Sequence, residues 1–531
     1  MPFLRIPLLI PILLLSAGMA FGTFSAYDPA LSLPLAAALW LGGGLCLLIA
    51  VFARTPRTQQ FVAAGIVGFA AGYTAVCFGQ YRYLGFERKI ELIARIGDLT
   101  SAPFPVLLDF PFQQNMAAAT LACALPIAFG LAAHSAGRLR WLWGAAALLI
   151  GAGVVLTVSR GAWAALAIAA LVAAAARIAS YRPRLLLGLS IAALLAGISG
   201  GVVLLSLWGI DGIAERAGSR LSLYRTALPL AIDTFYSGIG PGATFAQIYS
   251  RYGLLIQVPY LTYSHNLLLA VWLGGGISAL LGMVWMIGEL GLRFWRARQA
   301  GSGPIWLGAA AGSLALFLHG LVDAPQYNAG WYAMLIAWAT VGLALAAGRA
   351  DQPARRQRLG RPAFIGATLA VAVAALLFWQ PLAALAAVNA GATTQARADF
   401  GPDLSDAERT ALRQAAEHHY RTAVVRAPEL EAAQRRLGLY LLAVGRYAEA
   451  LGPLAQARRS DPGNQTSAKA LGYAYLWTGQ IAAAADIFAG LERRGEIRAE
   501  LGVYAWWWEA EGGRPDLAEA AAAAATELDR R

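Results

Sequence analysis

Residues 141–184 read WLWGAAALLIGAGVVLTVSRGAWAALAIAALVAAAARIASYRPR. Two apolar runs, 141–158 and 161–177, meet at Ser159-Arg160-Gly161, and Arg177, Arg182 and Arg184 close the second. Each run approaches the roughly 20 apolar residues that a helix needs to cross a bilayer. Backbone in hydrocarbon must satisfy its own hydrogen bonds, so both runs read as spanning helices joined by a tight connection.

Working outward, the same pattern recurs along most of the chain. Runs at 5–24, 34–53, 59–79, 114–133, 141–158, 161–177, 185–207, 266–290, 305–323, 329–347 and 362–382 predict about eleven transmembrane helices. The 531 residues are 58% hydrophobic and only 14% charged, with mean hydropathy +0.55. Soluble domains carry about 25% charged residues, so most of this chain is expected in a non-aqueous solvent. The first run begins after Arg5 and offers small residues at Ser16–Ala20, as a signal peptide would. It is long for a cleaved segment, and an uncleaved first helix is expected. Cys46, Cys77 and Cys123 all lie within apolar runs, without the spacing of a disulfide framework or a metal site.

The net charge of +12 (42 Lys+Arg against 30 Asp+Glu) is explained by orientation before nucleic acid. Arg54 and Arg57, Arg138 and Arg140, Arg177–Arg184, Arg293–Arg298 and Arg349–Arg361 occupy every second short loop. Basic loops stay cytoplasmic. The N-terminus is therefore expected inside, and eleven spans put the C-terminal end outside, in the periplasm of a bacterium. Arg160 is the one basic residue in an outer short connection. The longer segments 80–113 and 208–265 also fall outside, and the aromatics of the second suggest that it folds against the membrane surface.

From about residue 396 the composition turns charged and Ala-rich. Gly445, Gly479 and Gly513 are spaced 34 apart, as are Gly438 and Gly472, Leu437 and Leu471, and Pro428 and Pro462. This period resembles the tetratricopeptide pattern of paired helices. The expected organisation is all-α, with a membrane bundle over 1–395 and a helical repeat domain over 396–531. The repeats could bind a protein partner or merely buttress the bundle.

Chemistry-bearing residues collect at the expected outer boundary, where ionisable groups are costly. Arg160 could hold a diphosphate through its planar guanidinium or snorkel to lipid headgroups. Arg225 precedes Ser237-Gly238-Ile239-Gly240-Pro241-Gly242, which reads foremost as a turn. His265, with Asn266, opens a helix and could act as a general base or sit at the interface as a cap. Asp323 closes another helix, with His319 one turn deeper as a possible core histidine. No phosphate-cradling loop, HExxH or G-x-S-x-G is present, and neither a metal site nor a cofactor is expected.

In this order the motifs resemble the O-antigen ligase and polymerase (Wzy-like) superfamily. Ser159-Arg160-Gly161 is similar to its "SRG" turn, and Arg225 with Gly238–Gly242 to its "R…GIGPG" segment in the large outer loop. His265-Asn266, then nine residues to Gly276, is similar to an H-[NSQ]-x9-G element; Ala279 departs from the Gly, Thr or Tyr often found three positions later. His319–Asp323 resembles an "HxLxD/E" element, and Gln114-Asn115 a further polar pair. The resemblance implies a GT-C-like bundle and a metal-independent transfer of glycan from an undecaprenyl-diphosphate-linked donor. The acceptor is lipid A–core in ligases, another glycan in polymerases, and protein serine in O-oligosaccharyltransferases. It assigns Arg160 and Arg225 to charge neutralisation, His265 to the acceptor hydroxyl, and Asp323, Asn266, His319, Gln114 and Asn115 to substrate binding. A lipid-linked glycan transporter would instead show an internal repeat and midplane charges, which the sequence lacks. A scaffold would leave Arg160 and His265 without a role.

Overall fold

The computed structural model describes residues 8–86, 88–106, 113–179, 220–254, 261–299, 303–327, 331–348, 373 and 376–531. Among these residues the chain is helical, with no strand. The membrane part contains α1 (Leu9–Ser25), α2 (Pro29–Phe52), α3 (Pro56–Gln80), α4 (Glu91–Ser101), α5 (Gln114–His134), α6 (Gly137–Leu156) and α7 (Arg160–Ala179). It continues with α8 (220–233), α9 (Thr244–Tyr252), α10 (Leu267–Gln299), α11 (Pro304–Gly320) and α12 (Trp331–Ala347).

Local chemistry sets several boundaries. Asp28 caps α2 by accepting from Ala30 N at 2.9 Å, with Pro29 at the first helical position. Thr55 and Thr58 form a reciprocal cap at the start of α3. Among the described residues five helices are long and apolar enough to span a membrane: α2, α3, α5, α6 and α10. Four shorter apolar helices, α1, α7, α11 and α12, complete the set. These nine coincide with nine of the expected spans. The expected span at 185–207, and most of that at 362–382, lie outside the described residues. Large apolar side chains such as Leu41, Phe61, Trp141 and Leu148 face outward. In water these would form aggregation-prone patches, and in lipid they meet their own kind. This is a polytopic α-helical membrane protein.

α5 is largely enclosed, packed against α3, α6 and α11, with Ala117–Ala124 buried. α1 lies along α10, and α2 along α12. The three cysteines are buried and unpaired by disulfide. Inside the bundle the Tyr73 and Tyr332 hydroxyls hydrogen-bond at 3.1 Å, which spares both an unpaired polar group in an apolar interior.

α10 is interrupted at Gly275 and Gly276, and Gly276 has φ 67°. The segment after α8 docks into this break. Ile277 N donates to Phe235 O (2.8 Å), and Ile239 N donates to Leu273 O (2.6 Å). A Cβ on Gly276 would stand 2.0 Å from Tyr236 O, and one on Gly238 2.3 Å from Leu273 O. The glycines are thus required by close backbone approach as well as by positive φ.

The second part begins with α13 (Trp379–Phe400), in which the expected boundary at 395/396 falls. Asn389 of α13 accepts from Tyr236 N (2.9 Å) and Ser237 N (3.1 Å), so this helix clamps the docked segment. There follow α14 (Asp406–Arg426), α15 (Glu431–Ala443), α16 (Tyr447–Ser460), α17 (Gln465–Trp477), α18 (Ile481–Ala489), α19 (Arg494–Ala510) and α20 (Pro515–Arg530). The α15–α16 and α17–α18 hairpins repeat at a 34-residue interval, each turning on a glycine at φ 80°, Gly445 and Gly479. Gly438 and Gly472 occupy equivalent positions and lie against Leu454 and Phe488 of the facing helix.

The two parts share one hydrophobic core. Leu223, Leu230, Tyr249 and Tyr252 of α8 and α9 cluster with Leu437, Tyr440, Leu471 and Tyr473. A fully buried ion pair crosses the junction: Arg435 donates to Asp233 Oδ2 at 2.7 Å, with both side chains 0% exposed. Glu431 and Tyr252 complete the set around Arg435.

Candidate active site at the helix ends

Four helix ends meet on the side of the bundle that carries the repeat domain. Asn115 lies in the first turn of α5, Ser159 just before α7, His265 two residues before α10, and Asp323 three residues after α11. A continuous polar chain links them. The Ser159 hydroxyl donates to Asn115 Oδ1 (2.9 Å), Asn115 Nδ2 donates to Asp323 Oδ2 (2.5 Å), and Asp323 Oδ1 bonds His265 Nδ1 (3.1 Å).

Each member is held locally. Val158 at φ 49° makes the sharp turn that ends α6 and aims Ser159 inward. The Trp163 indole, donating to Val154 O at 3.0 Å, ties down the same turn. His265 itself sits at φ 52°, in the left-handed region that non-glycine residues rarely occupy. Strain of this kind costs on the order of 1–3 kcal/mol and persists where surrounding contacts enforce it. Here Tyr224 OH donates to His265 O (3.0 Å), and Asn266 both caps α10 through Leu269 N (3.0 Å) and donates to Leu321 O (2.9 Å). Asn266 is thus the clip between α10 and the end of α11.

Asp323 is nearly enclosed, with its side chain 5% exposed, whereas that of His265 keeps 17%. A carboxylate on Nδ1 favours the proton there and leaves Nε2 as the acceptor. The Tyr263 ring lies 4.0 Å from the imidazole, and Gln113 Nε2 donates to its hydroxyl at 2.7 Å. Burial, reinforced by the Asp323 charge, pushes the Tyr263 phenol well above its ordinary range, so it stays protonated. The Arg220 guanidinium stands 3.9 Å from Asp323 Oδ2, and its Nη1 is buried without a hydrogen bond among the described residues.

His265 and Arg220 line a cavity of about 460 Å³. Its opposite wall belongs to the repeat domain and includes Gln465, Lys469, Arg493 and Glu496. The size lies within the range of small-ligand pockets. Burial draws the Lys469 amine below its ordinary range while Glu500 holds it at 2.7 Å.

The remaining candidates are placed differently. Arg160 is exposed at the first position of α7. Arg225, with its side chain 55% exposed, pairs with Glu492 of the repeat domain at 2.7 Å. Gln114 is buried at the start of α5. His319 is buried, and neither ring nitrogen has a hydrogen-bond partner among the described residues. A Cβ on Gly161 would lie 3.2 Å from the His319 ring, so that glycine admits the imidazole.

Neither Arg220, Tyr263 nor Gln113 stands out in the sequence, and Ser159 does so only within its motif. Arg220 and Arg225 stand one and a half turns apart on one helix. Nothing in the local pattern distinguishes the arginine that faces Asp323 from the one that faces Glu492.

No curated protein matches the chain. Residues 145–284, which run from α6 to the middle of α10 and include Ser159, Arg160, Arg220, Arg225 and His265, match the family model described as O-antigen ligase. Over that stretch the chain is similar to the O-antigen ligase family.

Proposed function

We propose that the protein transfers a glycan from an undecaprenyl-diphosphate-linked donor to an acceptor hydroxyl at the outer face of the bacterial inner membrane. The observation that carries this reading is the Ser159–Asn115–Asp323–His265 chain ending on a cavity that Arg220 also lines. The acceptor oxygen attacks the anomeric carbon, the bond from that carbon to the phosphate oxygen breaks, and the lipid diphosphate leaves with the electron pair. His265 Nε2 takes the acceptor proton, and Asp323 stabilises the resulting imidazolium.

The leaving diphosphate is already charged, so the protein's task is to neutralise and orient it. Arg160 and Arg220 supply fixed positive charge, and the N-termini of α5, α7 and α10 add their dipoles on the same side. No metal is needed in this scheme. Arg225 acts through its ion pair with Glu492 of the cavity wall, and the buried Gln114 and His319 support the helix ends that carry Asn115 and Asp323. The basic loops support an orientation with this side outside and the C-terminal helices in the periplasm.

The test is transfer from a purified lipid-linked donor in proteoliposomes. Asp323→Asn and His265→Ala are expected to lose turnover while retaining the wild-type unfolding profile. Full turnover by both would overturn the mechanism.

A further inference from the structure

A second cavity, of about 310 Å³, lies where the end of α1, helices α8 and α9, α13 and the repeat helices meet. His265 does not line it. One side is aromatic. Tyr447 and Trp477 approach at 6.3 Å, Trp477 and Trp508 at 5.8 Å, and Trp508 and Trp507 at 4.5 Å, all four facing the cavity. The other side is planar and polar, with Gln395, Asp399, Arg251 and Arg436. Two donors on these walls are buried with no hydrogen bond among the described residues: the Trp508 indole N–H, and Arg436 Nε, which stands 3.8 Å from Asp233 Oδ2. Buried donors without partners are rare, and each calls for an explanation.

We propose that this cavity is a carbohydrate-binding site, distinct from the site at His265. A sugar ring is amphipathic in the way that these walls are. Its C–H face lies flat on aromatic rings, and its hydroxyls, fixed in the ring plane, suit carboxylate, amide and guanidinium edges. Gln395, Asp399 and the Arg436 Nη2 already have partners within the protein, but a lipid chain would leave Arg436 Nε and the Trp508 indole N–H without a hydrogen bond, at a cost for each. An extended peptide needs an open groove, but here the first helix of each hairpin is covered. Arg435 of α15 is locked onto Asp233, and Lys469 of α17 donates to Leu254 O at 2.8 Å. What remains is a partly open chamber with room for a short piece of glycan. Held there, a glycan would be anchored away from the reacting bond, so that the repeat domain grips the chain whose end is processed.

The inference leans on the proposed glycan transfer only in the choice of probe, since the ligand class comes from the lining. The probe is the mixture of oligosaccharides released by mild acid from the lipid-linked pool of the cells that make the protein. Its binding to the full-length protein in detergent is read by saturation-transfer NMR and calorimetry. Trp507 is half-exposed and Ala443 is exposed at the cavity, so Trp507→Ala and Ala443→Trp remove a stacking face and narrow the mouth without disturbing the core. Each is expected to weaken binding at least tenfold with an unchanged unfolding temperature, and His265→Ala is expected to retain that binding. Absence of oligosaccharide binding to the wild type, equal binding by both cavity variants, or binding of a random octapeptide pool in place of the sugars would overturn the proposal. Saturable sugar binding in a protein with no transfer activity would sink the transfer reading and leave this one standing. Transfer without sugar binding would do the reverse.

Discussion

The junction between α8 and the C-terminal helices and the corner at His265 both bury charge, but they bury it to different degrees. At the junction, Asp233 and Arg435 are both fully enclosed, and Glu431 and Tyr252 fill the space around the guanidinium. At the corner, the carboxylate is enclosed but the histidine that it holds is partly open to a cavity. A pair enclosed on both sides exposes no group to a substrate, and its effect is to fix how two bodies sit together. An enclosed carboxylate behind an accessible imidazole leaves one nitrogen free to move a proton. The difference teaches that burial of charge alone does not mark a reactive site; the open end does.

Predictions that would break this contrast run from large to small. Removal of the imidazole in His265→Ala should lower transfer from lipid-linked donor by roughly 10²–10⁴-fold, measured as product per enzyme in proteoliposomes. The melting curve should stay where it is. If instead the variant unfolds early, the corner is structural like the junction.

Arg435→Ala should have the opposite signature. It takes from buried Asp233 its hydrogen-bonded charge partner and leaves only Arg436, at 3.8 Å, a loss of up to about 3–5 kcal/mol. The readout is earlier thermal unfolding and protease release of the segment from 376 onward. Arg435→Met combined with Asp233→Leu should restore stability, because an apolar pair of similar volume carries no desolvation cost.

Asn115→Ala removes the donor to Asp323 and the acceptor for Ser159. A hydrogen bond to a charged group is worth about 1.5–3 kcal/mol, so kcat should fall roughly 10–100-fold with KM little altered. A change confined to KM would show that Asn115 touches substrate and does not position Asp323. The smallest effect belongs to Arg225→Ala at the exposed pair with Glu492. Stability should change by about 0–1 kcal/mol, and a transfer loss approaching that of His265→Ala would place Arg225 within the reacting centre.

How far the residues alone disclosed this arrangement depends on the range of the signal. Apolar runs of spanning length announced nine helices at the positions that the structure shows, because a bilayer imposes length and composition directly. The 34-residue spacing announced the hairpins, because the glycine at each turn must take positive φ. His265 and Asp323 stood out as ionisable residues at helix ends. Their hydrogen bond, 58 residues apart in sequence, did not. Likewise Ser237-Gly238-Ile239-Gly240-Pro241-Gly242 read as a turn, with no sign that it plugs a break in α10.

The sequence by itself determined that the chain is an α-helical membrane protein, where its helices lie, and which polar residues stand at their ends. These features follow from local physics: hydrophobic length, helix breaking and backbone freedom. Only the tertiary structure decided the partners. It turned Arg220 toward Asp323 and Arg225 toward Glu492, paired Arg435 with Asp233 from 202 residues away, and put one wall of the His265 cavity on the repeat domain. The reason is that contact between distant segments is set by how whole helices pack, and one arginine on a helix differs from the next only in the direction it faces.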